Sequence, residues 1–119
     1  MDGPAGPLEV RIEAPRAADL GIDLVICHPH PLHGGTMDNK VVHTIARAAR
    51  DVGLCAVRFN FRGVGSSAGR HDEGRGEIDD LLAVIAGCAR HSPGRGLALA
   101  GFSFGAWVAA SAVFRLPIP

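Results

Sequence analysis

Apolar and polar positions alternate over residues 8–12 (Leu8, Glu9, Val10, Arg11, Ile12), the pattern of a half-buried strand near a sheet edge. Residues 24–27 are instead apolar without a break, which suits a strand covered on both faces. The period then changes. Val42, Ile45, Ala49 and Val52 recur at spacings of three and four, with Asp38 or Asn39 available to cap the start and Gly53 to end the run. This predicts an amphipathic helix over 39–52. Residues 54–59 read as another strand and lead into a glycine-rich loop from Arg62 to Gly69. A second helix is expected over 76–90, with Ile78, Leu81, Leu82 and Ile85 on one face and the acids Glu77, Asp79 and Asp80 near its positive end. Ser92, Pro93 and Gly94 break the chain, 97–100 form a short apolar strand, and 103–114 return to helix. That last helix is apolar nearly all round, as a fully covered helix is.

Strands alternating with helices of this length imply βαβ units and an α/β fold, with a mainly parallel sheet of about four strands and three helices. The 119 residues, 47% of them hydrophobic, suffice for one core, so residues 1–119 are expected to form one domain or part of one. Twelve basic and twelve acidic residues cancel, leaving no electrostatic footprint for nucleic acid or anionic lipid. No apolar run approaches the roughly 18 residues of a spanning helix, and the N-terminus lacks the layout of a signal peptide. The expectation is a soluble cytoplasmic protein with no nucleic-acid or membrane partner. Cys27, Cys55 and Cys88 each sit in an apolar run without a C-x-x-C pair, which predicts buried free thiols rather than disulfides or a zinc site.

Three stretches can carry chemistry. Gly101-Phe102-Ser103-Phe104-Gly105 matches G-x-S-x-G, in which a serine sits on a sharp strand-to-helix turn and glycines let the two backbones approach. The apolar run 97–100 before it and the helix after it are the context this motif requires. Cys27 to Thr36 (CHPHPLHGGT) follows the buried strand 24–27 directly. In an elbow enzyme such a loop supplies one oxyanion-hole N–H, and the residue after the serine supplies the other. Proline has no N–H, so His30 and Phe104 are the candidate backbone donors. His28, His30 and His33, with Asp38, also permit a zinc reading. The third stretch, Arg58 to Ser67, has glycines spaced loosely like a dinucleotide loop but lacks the expected acid on a following strand. It reads better as a tight backbone in which Arg62 ties loops together by donating to carbonyls.

Taken together, the HPHPxxGGT run, the NFRGVGxS loop and the GFSFG elbow resemble the α/β-hydrolase superfamily, in particular small bacterial members of poorly defined substrate. The resemblance spans about residues 8–112 and implies the N-terminal half of that fold, with the C-terminal half missing. It implies an ester or amide hydrolase acting through an acyl-enzyme on Ser103, with His30 and Phe104 as oxyanion donors and neither metal nor organic cofactor.

In that family the acid and the histidine follow the serine along the chain. Here no Asp, Glu or His follows Ser103, and the sequence reaches Ile118 and Pro119 about where a next strand is expected to begin. Without a general base the serine hydroxyl is a poor nucleophile, so the chain by itself is expected to be inactive. His30 or His33 can approach the elbow, but the sequence offers no group to orient either. The missing outer neighbour also leaves strand 97–100 with an unpaired edge, through which self-association is expected. A non-catalytic binding or assembly module is the reading from another class.

Overall fold

The computed structural model describes Met1–Pro117; the expected start of a next strand at Ile118 and Pro119 lies outside the described residues. The main sheet contains β3 (Val10–Glu13), β4 (Ile22–Cys27), β5 (Cys55–Phe59) and β6 (Gly96–Gly101), in the order β3-β5-β4-β6. Strand β3 runs antiparallel to β5, while β4 is parallel to both β5 and β6. Three helices connect and follow these strands: α1 (Lys40–Asp51), α2 (Arg75–His91) and α3 (Phe104–Val113). The sequence pattern thus gives the fold class and element order, with the antiparallel strand at an edge as expected. A short ladder of β1 (Asp2–Gly3) and β2 (Gly6–Pro7) was not legible in it.

Helix α1 covers one face of the sheet, where Val42, Ala46 and Ala49 pack on Leu24, Ile26 and Ala56. Helices α2 and α3 cover the other, where Leu81, Val84 and Val108 pack on Val25, Val57 and Phe59. The Asn39 side chain caps α1 by accepting from the N–H groups of Val41 and Val42 at 2.9 and 3.3 Å. Gly53 follows the helix with φ +102°, a left-handed conformation that admits glycine without strain.

Several details differ from the pattern. Val52, expected on the buried face of α1, is 63% exposed, because the helix ends at Asp51 and Ala46 fills the face instead. Glu77 and Asp80, expected as favourable charges near a helix start, are fully buried. Helix α3 is not covered all round: Trp107, Val113 and Phe114 face outward. All three cysteines are buried and free. Among the described residues no helix is long and apolar enough to cross a membrane.

Candidate active site

Strands β4 and β6 are adjacent and in register, with Cys27 opposite Gly101, so the segments leaving them emerge side by side. This is the carboxyl edge of the parallel part of the sheet, where the chain leaves β4 toward one neighbour and returns to β6 on the other. Open α/β sheets form their ligand crevices at such points.

Ser103 occupies the turn between β6 and α3 with φ +58° and ψ −118°, a conformation a non-glycine residue holds only where its surroundings impose it. The constraints are visible. The Phe102 N–H donates to Cys27 O at 3.2 Å, and the Ala106 N–H donates to Ser103 O at 3.0 Å. A Cβ at Gly101 would meet the backbone of Gly105 and Ala106 at 2.5 Å, and one at Gly105 would strike the carbonyl of Cys27. Both glycines therefore permit the close backbone approach that produces the bend. The serine side chain caps nothing and is exposed.

The loop after β4 is equally constrained. His28 is fully buried; its Nε2 accepts from the Phe61 N–H at 3.1 Å and its Nδ1 donates to Pro29 O at 2.7 Å. That pairing fixes the neutral tautomer, and burial lowers the His28 pKa to about 4. With both ring nitrogens engaged by backbone, His28 offers no lone pair to a metal. The ligand set of His28, His30 and His33 is thus not assembled, which corrects the zinc reading of the sequence. A Cβ at Gly35 would strike the Pro29 carbonyl, so glycine there lets the loop fold back on itself.

His30 accepts from the Leu32 N–H through Nδ1 at 3.1 Å, which leaves any proton of its neutral form on Nε2. Partial desolvation and the neighbouring His33 and His71 push its pKa down, with Glu77 opposing them. Its ring lies 4.8 Å from that of Phe104, which brings the loop after β4 against the residue after the serine. The backbone N–H of His30 donates to no protein acceptor among the described residues. Phe104, first in its helix, has no intrahelical acceptor for its N–H either.

One neighbour escaped the sequence reading. The His71 ring packs 4.9 Å from His30 and 5.9 Å from Phe104, and its Nδ1 lies 3.0 Å from Oε2 of buried Glu77. At this distance the buried His71 Nδ1 makes no hydrogen bond among the described residues. Glu77 also accepts from the N–H groups of Asp72 and Gly74 at 2.9 and 3.0 Å, and Trp107 packs against Gly74. Its spacing from Gly74 is that of a capping box, the one sequence signal that could have found this role. Arg62 does donate to a carbonyl, Gly76 O at 2.9 Å, but its main partner is buried Asp80, held by Nη2 at 2.9 Å and by Nε. Asn60 and Ser67 hold the glycine-rich loop to the residue just before β3: the Asn60 amide donates to Glu9 Oε1 at 2.8 Å and the Glu9 N–H donates to Ser67 Oγ at 2.9 Å.

A solved α/β serine hydrolase homologue from Coxiella burnetii is 51% identical to this chain with a TM-score of 0.94, over 97% of this chain and 55% of that one. A member of the α/β serine hydrolases without lid, from Xanthomonas campestris, is 48% identical at a TM-score of 0.94, over 98% and 54%. The chain has the N-terminal half of the α/β-hydrolase fold. An uncharacterized protein of Rickettsia prowazekii is 41% identical over 118 residues, 98% of this chain and 49% of the relative. No family model matches. The chain spans about half the length of the relatives it matches.

Proposed function

We infer that Ser103 is the nucleophile of an acyl-transfer hydrolase, with the backbone N–H groups of His30 and Phe104 placed for the oxyanion of a tetrahedral intermediate. The observation that carries this reading is the bend at Ser103: an exposed hydroxyl on a strained turn, beside two amides without protein acceptors. In the reaction the serine oxygen bonds to the carbonyl carbon of an ester or amide, and the bond to the leaving group breaks as the group takes up a proton. Water then attacks the acyl-enzyme and regenerates the hydroxyl. Neither a metal nor an organic cofactor enters these steps. Three buried free cysteines support a reducing compartment such as the cytoplasm.

The test is hydrolysis of a p-nitrophenyl ester by a version of the chain continued to the length of its relatives. Turnover there, its loss in Ser103→Ala, and a fluorophosphonate adduct on Ser103 are expected. Unchanged turnover in Ser103→Ala removes the serine from the mechanism, and the absence of both turnover and adduct leaves a binding or assembly module.

A further inference from the structure

At the opposite edge of the sheet from β6, a cleft of about 130 Å³ opens between α1 and the segment leaving β3. Helix spacings of four and three place His43, Arg47 and Arg50 on one face of α1, with the small buried side chain of Ala46 as floor. Arg16 lines the facing wall, and its N–H donates to Arg50 O at 2.9 Å, which pins that wall to the last turn of the helix.

The carboxylate lining this cleft is already engaged. Glu13 Oε1 accepts from Arg58 Nε and Nη2 at 3.1 and 3.0 Å, and Oε2 accepts from Arg50 Nη1 at 3.2 Å. Burial opposes its charge, but the Arg58 hydrogen bonds and the charges of Arg58, Arg50 and Arg11 prevail and hold its pKa below the ordinary value. Of the other acids nearby, Asp51 lies 3.6 Å from Arg16, and Asp38 accepts from Arg58 Nη1 at 3.3 Å and lies 3.6 Å from the ring of His43. Arg47 has no carboxylate partner among the described residues. In a chain of zero formal charge, three guanidinium groups, of Arg16, Arg47 and Arg50, therefore line one small polar cleft whose lining holds a single carboxylate, that of Glu13.

We propose that this arginine cleft binds a phosphate-class oxyanion, either inorganic phosphate or the terminal group of a phosphomonoester. Guanidinium groups meet such an anion through paired N–H donors, and groups on two separate elements grip it from two sides. The site is independent of the Ser103 chemistry.

The test titrates the chain with inorganic phosphate, with glycerol phosphate and with phosphatidylglycerol vesicles at constant low ionic strength, followed by calorimetry and amide shifts. Saturable binding of the free phosphates, with shifts centred on Arg16 and Arg47, is expected. Arg47→Ala weakens it about tenfold or more, the worth of one charge-assisted hydrogen bond. Arg47→Lys recovers only part of the affinity, and Arg75→Ala, at an exposed arginine on α2 outside the cleft, leaves it unchanged. No saturable response to free phosphate, binding to vesicles alone, or equal weakening by Arg75→Ala and Arg47→Ala overturns the proposal.

Discussion

Strands β4 and β6 lie side by side in register, are both built mainly of apolar residues, and meet different fates. From Asp23 to Cys27, β4 is buried throughout, whereas β6 begins exposed at Gly96 and Leu97 and is only half-buried from Ala98 onward. The difference is position. β4 has hydrogen-bonded neighbours on both edges and helices over both faces, while among the described residues β6 pairs with β4 alone. Burial of a strand is therefore a property of its place in the sheet, and the turns that leave the two strands inherit the contrast. After β4 the chain locks a neutral histidine into backbone hydrogen bonds; after β6 it holds an exposed serine in strain.

The sharpest break in this comparison is truncation of side chains in the two strands. Ile26→Ala in β4 is expected to lower stability by about 2–5 kcal/mol, since its fully buried side chain leaves a cavity. Leu97→Ala in β6, 43% exposed, should cost less than about 1 kcal/mol by lost burial. Urea denaturation of both variants checks the gap, and equal losses would mean that β6 is as covered as β4.

Acidification probes the turn after β4. The folded pKa of His28 is depressed to about 4 from the usual 6.5, so its contribution is fully present above pH 6.5. It is lost as pH falls toward 4, because the unfolded chain takes up the proton first. Stability should fall by about 1.4 kcal/mol per pH unit in that window, about 3 kcal/mol in all. His28→Gln should flatten this slope in urea midpoints measured against pH.

The turn after β6 responds to the opposite kind of change. Ser103→Gly removes the left-handed strain without losing a cap bond, so it should raise stability by about 1 kcal/mol in the same assay. The smallest effect on stability is expected from Leu97→Lys, within about 0.5 kcal/mol at an exposed position. Its effect on association should be larger, because a lysine beside an unpaired edge opposes strand addition. Sedimentation is expected to show the parent chain associating with concentration and this variant remaining monomeric.

How much was legible in the sequence follows the range of the interactions involved. The caps of α1, the strand-helix alternation and the bend at Ser103 are written in residues next to one another, where periodicity and glycine placement suffice. His71 and the buried acids were not legible. Glu77 and Asp80 stand three apart on α2 and look like surface charges until Arg62, Asp72 and Gly74 are brought to them by the fold. His28, His30 and His33 looked like one ligand set, and only the Phe61 N–H, 33 residues away from His28, shows that the first is held by backbone.

By itself the sequence determined the four strands of the main sheet and the three helices, the parallel sense of most of the sheet and the position of the exposed serine, because each depends on backbone geometry within a few residues. The tertiary structure alone decided which apolar strand is buried and which acids lie inside. It also decided which histidine has free nitrogens, and that arginines from α1 and from the segment after β3 share one cleft. These outcomes depend on pairings between distant segments, where a carboxylate or an imidazole takes its character from the neighbour the fold supplies.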